Sequence, residues 1–267
     1  MIKYFQSFLT IIFTFINVIP VQAQITKTNN LAREATIYLS QKSQKTVIFR
    51  TPPPPPNIGS PGQRRGGGSR GCLSKTTHNT KPRNNVLIAL APEYSKSQVI
   101  LGLTAKERPT FWFYIPYDPS LVYAELGLED ELNEDTYKVV STKTPGIIGV
   151  PLPSISSPLQ IGKQYRWNFN IYCKQDDGFL ASVEGNVQFQ PLNSALANKL
   201  KYATPHEQAL IYAANGIWYE ALTILANLHR LPKQNAQLSQ DWSNLLESVG
   251  LQNLASEPII DCCQSQN

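Results

Sequence analysis

The stretch "QYRWNFNIYC", residues 164–173, alternates large apolar side chains with mostly polar ones. One set comprises Tyr165, Trp167, Phe169, Ile171 and Cys173, and the other comprises Arg166, Asn168, Asn170 and Tyr172. A period of two is typical of a β-strand that is buried on one face. The stretch therefore predicts a long strand with one face in a core.

Similar short segments surround it from Asn85 to about residue 192. Pro, Gly, Asp and Ser, which favour turns, separate them, and no long helical pattern lies between them. The predicted strands cover 86–93, 97–105, 110–117, 121–129, 136–143, 146–153, 163–173 and 181–190. This spacing predicts a mainly β fold in which residues 85–192 form an antiparallel, immunoglobulin-like β-sandwich.

The period changes after residue 192. Apolar residues between 205 and 232 recur at helical spacing, and Asn215-Gly216 is a natural division into two helices. A further helix, "SQDWSNLLESVGL", is predicted to begin with Ser239 as its cap and to stop at Gly250. Residues 193–267 are therefore predicted to form a C-terminal α-helical cap on the sandwich.

The chain opens with the pattern of a secretory signal peptide, predicted for residues 1–23. Lys3 is the only charge in this stretch, an apolar run extends from Phe8 to Val18, and cleavage is predicted after Ala23. A retained membrane anchor is the alternative, although the apolar run is short for a spanning helix. We therefore expect a periplasmic or secreted protein with no transmembrane span after cleavage.

Residues 24–84 are rich in Pro, Gly and Arg and poor in large apolar side chains, and they include "TPPPPP" at 51–56. This composition predicts a disordered, flexible N-terminal arm. The charge is unevenly divided, since residues 35–92 hold nine basic and no acidic residues, whereas residues 93–267 hold twelve basic and eighteen acidic ones. A basic arm beside an acidic domain suggests an anionic partner.

The motif "PGQRRGGGSRGC", residues 61–72, carries the candidate anion-binding residues Arg64, Arg65 and Arg70. It lacks the lysine and the preceding buried strand of a phosphate-binding loop, so a nucleotide site is disfavoured. Export also argues against a nucleic-acid partner. A flexible basic tether and an arm that binds an anion remain the two main interpretations.

The segment "PTFWFYIPY", residues 109–117, places Trp112 and Tyr114 on one face of a predicted strand. This aromatic face is a candidate platform for sugar rings or peptide. The alternative is that helices cover it and both of its faces belong to the core.

The acidic stretch "LEDELNED", residues 128–135, is predicted to be a solvated hairpin. A cation site is less favoured because the stretch lacks the glycine of a calcium loop. A glycosidase-type pair of carboxylates drawn from Glu125, Glu129, Glu131 and Asp135 is the enzymatic alternative. No Gly-x-Ser-x-Gly elbow and no zinc-like Cys/His spacing occurs in the sequence, so we assign no catalytic residue, metal or cofactor.

Four cysteines remain, Cys72, Cys173, Cys262 and Cys263. An even number in an exported chain suggests disulfides, with three possible pairings. We favour Cys72 with Cys173, which would fasten the arm to a strand, and leave Cys262 and Cys263 unassigned.

Several blocks resemble, in order, the cyanobacterial family known as domain of unknown function 928. They are "PGQRRGGGSRGC", "LAPEYS", "GLTAKERPTFWFYIPY", "TPGIIGVPLP", "LQIGKQYRWNFNIYC" and "ANGIWYEALTILANL", and they span about Pro61 to Cys262. The resemblance implies a cyanobacterial exported protein and no established activity. It also implies that the Arg/Gly block with Cys72, and Cys173, are shared with the family.

Taken together, these features favour an exported, non-enzymatic cell-envelope module that binds an anionic polysaccharide or another polyanion. One alternative is a carboxylate-based hydrolase of envelope polysaccharide. The other is a protein-docking module whose C-terminal helices expose an apolar patch around Trp218 and Leu222.

Overall fold

A computed structural model of the protein describes residues 46–54, 61–66, 86–129, 134–139, 145–231 and 236–262. Within these residues the fold is mainly β, with ten strands in two sheets followed largely by helices. The predicted signal peptide and its cleavage site lie outside the described residues. No helix in the described part is long and apolar enough to cross a membrane.

The larger sheet has six strands in the order β2-β3-β9-β8-β5-β6. They are β2 (Glu93–Tyr94), β3 (Val99–Thr104), β5 (Val122–Glu129), β6 (Glu134–Val139), β8 (Gln164–Cys173) and β9 (Phe179–Phe189). The long central strand β8 pairs antiparallel with β5 and β9, and its burial alternates strictly along all ten residues. The strand and its buried face predicted for "QYRWNFNIYC" are thus confirmed.

The smaller sheet has four strands in the order β1-β4-β7-β10. They are β1 (Ile88–Ala89), β4 (Thr110–Ile115), β7 (Gly146–Pro151) and β10 (Ile259–Ile260). β10 comes from the C-terminal region and adds to the edge of β7 in parallel. This strand was not expected from the sequence, because a two-residue strand is too short to show a period.

Both sheets are mixed, so the prediction of a purely antiparallel fold is wrong for two strand pairs. β3 pairs with β9 in parallel, and β7 pairs with β10 in parallel. Each of these pairs is separated by many other elements along the chain. Turn-forming residues in the sequence indicate pairing between consecutive strands, but they do not indicate pairing between strands that are far apart along the chain.

The two sheets face each other through aromatic side chains. The rings of Phe113 on β4 and Phe169 on β8 stack with centroids 3.8 Å apart, and Phe111 lies 6.1 Å from Trp167. All four side chains are at most 1% exposed. Their burial supplies much of the hydrophobic driving force, since each aromatic residue removes a large apolar area from water.

Four α-helices and a short 3-10 helix, Gln252–Leu254, follow strand β9 within the described residues. They are α1 (Ser194–Lys201), α2 (Pro205–Ala214), α3 (Trp218–His229) and α4 (Ala236–Glu247). Gly216, with φ of +73°, separates α2 from α3, which confirms the predicted division. Helix α4 begins before Ser239, so the predicted start at that residue is wrong.

Helix α3 covers the second face of the smaller sheet. The indole Nε1 of Trp112 on β4 donates to Thr223 Oγ1 at 2.9 Å, and Nε1 of Trp218 donates to the Leu90 carbonyl at 2.8 Å. Tyr219 packs at Gly102, where an added Cβ would lie 2.6 Å from the tyrosine ring. The glycine therefore allows the close approach of the helix to strand β3.

Two stretches of the predicted flexible arm pack against the domain. Val47 is 3% exposed, and its N–H donates to Asp241 on α4 at 2.9 Å. Further along, Gln63 and Glu184 exchange two backbone hydrogen bonds of 3.1 and 2.9 Å. These parts of the arm therefore add to the fold, while its remaining residues lie outside the described ones.

Candidate functional site

The outer side of the larger sheet carries aromatic, amide, hydroxyl and charged side chains. We call it the polar face, and it consists of Tyr123, Glu125 and Glu129 on β5, Arg166, Asn168, Asn170 and Tyr172 on β8, and Phe179, Ser182 and Glu184 on β9. These side chains alternate with the buried residues that face the smaller sheet. All are half-buried except Phe179, which is 53% exposed.

One end of the polar face is aromatic. The rings of Tyr123 and Tyr172 stack with centroids 5.3 Å apart, and Phe179 meets Tyr172 edge-on at 6.1 Å. Burial, together with a hydrogen bond to Asp177, raises the pKa of the Tyr123 phenol, which keeps it neutral at physiological pH. The three rings form a partly exposed apolar cluster with a hydroxyl at its edge.

A β-bulge brings Phe179 to this cluster. Ile171 pairs with Ala181, but Tyr172 pairs with Phe179, so Leu180 is skipped in the register. A bulge of this kind redirects a side chain at the end of a strand. Without it, strict alternation from Ser182 would place Leu180 rather than Phe179 on the polar face.

Amide and hydroxyl groups form the middle of the polar face. Asn170 Nδ2 donates to Asn168 Oδ1 at 3.0 Å, and Ser182 Oγ donates to Asn170 Oδ1 at 2.7 Å. Gly127 makes room beside them, since a Cβ there would lie 2.5 Å from Asn168 Oδ1. The row is pre-ordered and retains free hydrogen-bonding capacity, because each amide offers two donors and an acceptor with two lone pairs.

The far end of the polar face is an ion-pair cluster. Arg166 lies 2.8 Å from Glu184 Oε2 and 3.4 Å from Glu129 Oε1. The hydrogen bond to Glu184 raises the pKa of the Arg166 guanidinium. Two carboxylates surround one cation, so the cluster as a whole is negative.

A concave surface of about 820 Å³ lies between the end of α3, helix α4 and the segment before β10. Its lining includes His229, Arg230, Ser243, Glu257 and Asp261. Arg230 donates to Asp261 Oδ1 and to Asn227 Oδ1, each at 2.6 Å, and burial lowers the pKa of His229. Both terminal nitrogens of Arg230 thus donate to acceptors within the protein.

Two buried carboxylates also lie outside the polar face. Glu220 on α3 accepts from Thr104 Oγ1 at 2.7 Å and from the Ala105 N–H at 2.9 Å. Asp241 on α4 is fully buried and accepts from the Val47 N–H, from His206 Nε2 at 2.7 Å and from Gln237. Each joins two or more segments of the chain, which is a structural role.

Arg64, one of the three predicted anion-binding residues, is held inside the protein. Its guanidinium donates to the Val249 carbonyl at 2.6 Å, contacts the Ala91 carbonyl at 3.4 Å and lies 3.0 Å from Glu93 Oε2. Burial lowers its pKa despite the nearby Glu93. The side chain therefore clamps residues 61–66 onto the domain.

The other two arginines differ from it. Arg65 is exposed and forms a backbone bridge with Ile88, whereas Arg70 lies outside the described residues. Of the two described arginines in the motif, Arg65 is therefore the one that is exposed to an anionic ligand.

Trp112 and Tyr114 do not form an exposed aromatic surface. They are 2% and 0% exposed, under the helices, and burial with a contact to Glu257 raises the pKa of Tyr114 to about 12. The alternative interpretation, in which helices cover this face, matches their position.

The carboxylates considered for hydrolysis are not gathered in a cleft. Glu125 and Glu129 lie on the open polar face, Glu129 is paired with Arg166, and Asp135 lies on the neighbouring strand β6. Glu131 lies outside the described residues. Among the described residues of this region, no two unpaired carboxylates therefore face each other across a cleft as a glycosidase requires.

Trp218 and Leu222 are both 0% exposed, so they do not form the apolar docking patch considered for the helices. Their side chains belong to the core beneath α3. The exposed large apolar residues of the helical region in the described structure are instead Tyr202 and Leu231.

Neither described cysteine, Cys173 or Cys262, is a free thiol. Cys173 is 1% exposed at the end of β8. Cys72 and Cys263 lie outside the described residues, so the pairing of Cys72 with Cys173 stays a prediction.

No group of three or more His, Cys, Asp or Glu side chains suited to a metal ion occurs among the described residues. Fold and surface together define a mainly β protein with a helical C-terminal part and an open, polar sheet face.

A family model described as Domain of Unknown Function (DUF928) matches residues 65–259. The chain therefore belongs to this family. No curated protein and no solved structure matches it.

The residues that β8 contributes to the polar face could be recognised in the sequence, but no function was assigned to them from the sequence. Alternation separates Arg166, Asn168, Asn170 and Tyr172 from the core residues of the same strand. Their concentration of amide and aromatic types, rather than the Lys and Thr usual on solvated strands, is the signal that could have pointed to a site. The contributions of β5 and β9 required the pairing register.

Proposed function

We propose that this protein is an exported, non-enzymatic module that binds a glycan of the cell envelope through the polar face. The observation that carries the proposal is that a partly exposed ring cluster lies next to an ordered amide row on one open sheet face. Sugars present both an apolar C–H surface and a ring of hydroxyls. A face that offers rings and bidentate amides matches both features.

The openness of the polar face supports a polymer as ligand. Small molecules are usually held in concave pockets that bury most of their surface. The polar face extends over three strands and about three alternate positions along each, roughly 10 Å by 15 Å from standard strand spacings. A surface of that extent can contact several consecutive sugar units.

We further propose that the two facing sheets form an immunoglobulin-like β-sandwich. The ring contacts of Phe113 with Phe169 and of Phe111 with Trp167 support this class. Export is part of the proposal and is supported by the signal-peptide pattern at residues 1–23.

The charged-arm version of the function is supported less well. It depends on Arg64, Arg65 and Arg70, and the two terminal nitrogens of Arg64 are engaged with Val249, Ala91 and Glu93. Binding of an acidic polymer that depends on Arg65 would restore that version.

The test is a pull-down of the full mature chain with insoluble polysaccharide and with purified peptidoglycan sacculi. We expect Phe179→Ala to weaken retention about threefold to tenfold, the equivalent of roughly 0.7–1.4 kcal/mol, because it removes the most exposed ring. Ile155→Ala is the matched control, since Ile155 is 86% exposed in the loop between β7 and β8, which contributes no residue to the polar face.

Equal retention of the two variants would contradict the proposal. The proposal would also be contradicted if neither glycan preparation retained the protein. Thermal melting of both variants checks that each folds.

A further inference from the structure

We infer that the polar face selects its glycan by charge, accepting neutral and amine-bearing sugars and rejecting acidic ones, with Glu125 as the residue that recognises the amine. This inference rests on the proposed function and names the ligand class of the same surface. It differs from the polyanion expected from the basic arm.

The first step is the charge of the polar face. Glu125, Glu129 and Glu184 contribute three carboxylates, against the single cation of Arg166. On the neighbouring strand, Glu134 and Lys138 occupy the register positions opposite Glu129 and Glu125, which add one charge of each sign. The positions of the face therefore carry a net negative charge, which opposes the approach of an anion.

The second step is that the charge of Arg166 is already balanced by two carboxylates. Its Nη2 atom lies 2.8 Å from Glu184 Oε2, and its Nε atom lies 3.4 Å from Glu129 Oε1. A uronate carboxylate that approached the guanidinium would also approach both glutamates. Repulsion from two like charges would offset its attraction to one cation, so acidic glycans are disfavoured at this end.

The third step is the position of Glu125. It stands on β5 one alternate position from Tyr123 and directly across from Asn170. Among the described residues no hydrogen bond or ion pair engages its carboxylate. A sugar stacked on the Tyr123, Tyr172 and Phe179 rings would thus place its substituents next to an unengaged acceptor and an amide.

An ammonium group at that point gains both a charge partner and hydrogen bonds to carboxylate oxygens. A neutral hydroxyl or acetamido group would still bond to Asn170. The same geometry therefore predicts that the polar face binds amine-bearing sugars more tightly than neutral sugars, and neutral sugars more tightly than acidic ones.

The experiment measures binding of three tetramers to the full mature chain by calorimetry. They are β-1,4-linked glucosamine, β-1,4-linked N-acetylglucosamine and galacturonic acid, which differ in charge at similar length. We expect the glucosamine tetramer to bind about twofold to fivefold more tightly than the acetylated one, as for a partly exposed ion pair. This preference should shrink as salt rises from 50 to 500 mM, roughly the range over which surface charges become screened.

Glu125→Gln should remove the preference for the amine, so that the glucosamine and N-acetylglucosamine tetramers bind with similar affinity. Phe179→Ala should weaken binding of the glucosamine and N-acetylglucosamine tetramers equally, because the ring does not discriminate between charged and neutral sugars.

The two proposals fail in different ways. If the tetramers bind and depend on Phe179 but the galacturonate tetramer binds best, or if Glu125→Gln leaves the amine preference intact, the charge inference is overturned and glycan binding stands. If no tetramer binds, or binding is indifferent to Phe179, the proposed function is overturned and the inference falls with it.

Discussion

Glu220 shows how burial determines the chemistry of one side chain in this protein. Its carboxylate is 4% exposed, and burial raises its pKa above the ordinary value of 4.5, although Ala105 and Thr104 donate to it. Between the two pKa values the folded state holds a proton that the unfolded chain has released. The contribution of Glu220 to stability is thus fully present below pH 4.5 and is lost as pH rises through the folded pKa.

We therefore predict that Glu220→Gln gains stability relative to the natural protein as pH rises from 4 to 7. The glutamine amide keeps an acceptor for the Ala105 N–H and can donate to Thr104 Oγ1, so the contacts are conserved while the titration is removed. Urea unfolding at several pH values measures the difference. A difference independent of pH would show that Glu220 does not hold its proton in the folded state.

Contacts of single side chains also explain why some predicted site residues are buried. Composition could not distinguish Arg64 from Arg65, because they are adjacent and identical in type. Tertiary contacts with Val249 and Glu93 engage the first and leave the second exposed. The same holds for Trp112 and Tyr114, which contact Thr223 and Glu257, more than a hundred residues later.

Segment 61–66 is the element of the arm for which a stability effect can be predicted. Arg64→Met should lower the free energy of unfolding by about 1.5–3 kcal/mol, because hydrogen bonds from a charged group to the Val249 and Ala91 carbonyls are lost. Arg65→Met should change it by less than about 0.5 kcal/mol, since exposed substitutions usually do little.

Chemical denaturation of both variants under the same conditions provides the comparison. If the two arginines proved equivalent, the clamp at Arg64 would be refuted.

Strands were predictable from sequence to the extent that they were long and consecutive. The predicted segments 121–129 and 163–173 correspond closely to β5 and β8, where alternation and flanking turns agree. The segment 86–93 instead divides into β1 and β2, which belong to different sheets. A strand that changes sheets keeps its apolar composition, so its sequence gives no sign of the division.

Helix boundaries depended on capping chemistry. Thr204 and Glu207 form a capping box that begins α2, with Pro205 as the first helical residue, and the residue types required for it are present in the sequence. Ser239 resembles a cap equally well, yet it lies within α4. A serine in a helix interior and a serine cap differ in backbone geometry rather than in local composition.

For the whole molecule, the oxidation state of the cysteines is the most direct test of export and assembly. We predict that the mature protein has no free thiol and that Cys72 is joined to Cys173, because Cys173 is buried and not free at the end of β8. Peptide maps under reducing and non-reducing conditions identify the pairs. Free thiols at both positions, or a map joining Cys173 to Cys263, would contradict the pairing.

The sequence by itself determined the mainly β class, the helical C-terminal part, the core face of β8 and membership in the DUF928 family, because these depend on local periodicity and on ordered motifs. Tertiary structure alone decided the parallel pairs, the burial of Trp112 and Arg64, and the polar face. The face draws side chains from three strands and needs a bulge to include Phe179. Register between distant segments is set by global packing, and no local pattern records it.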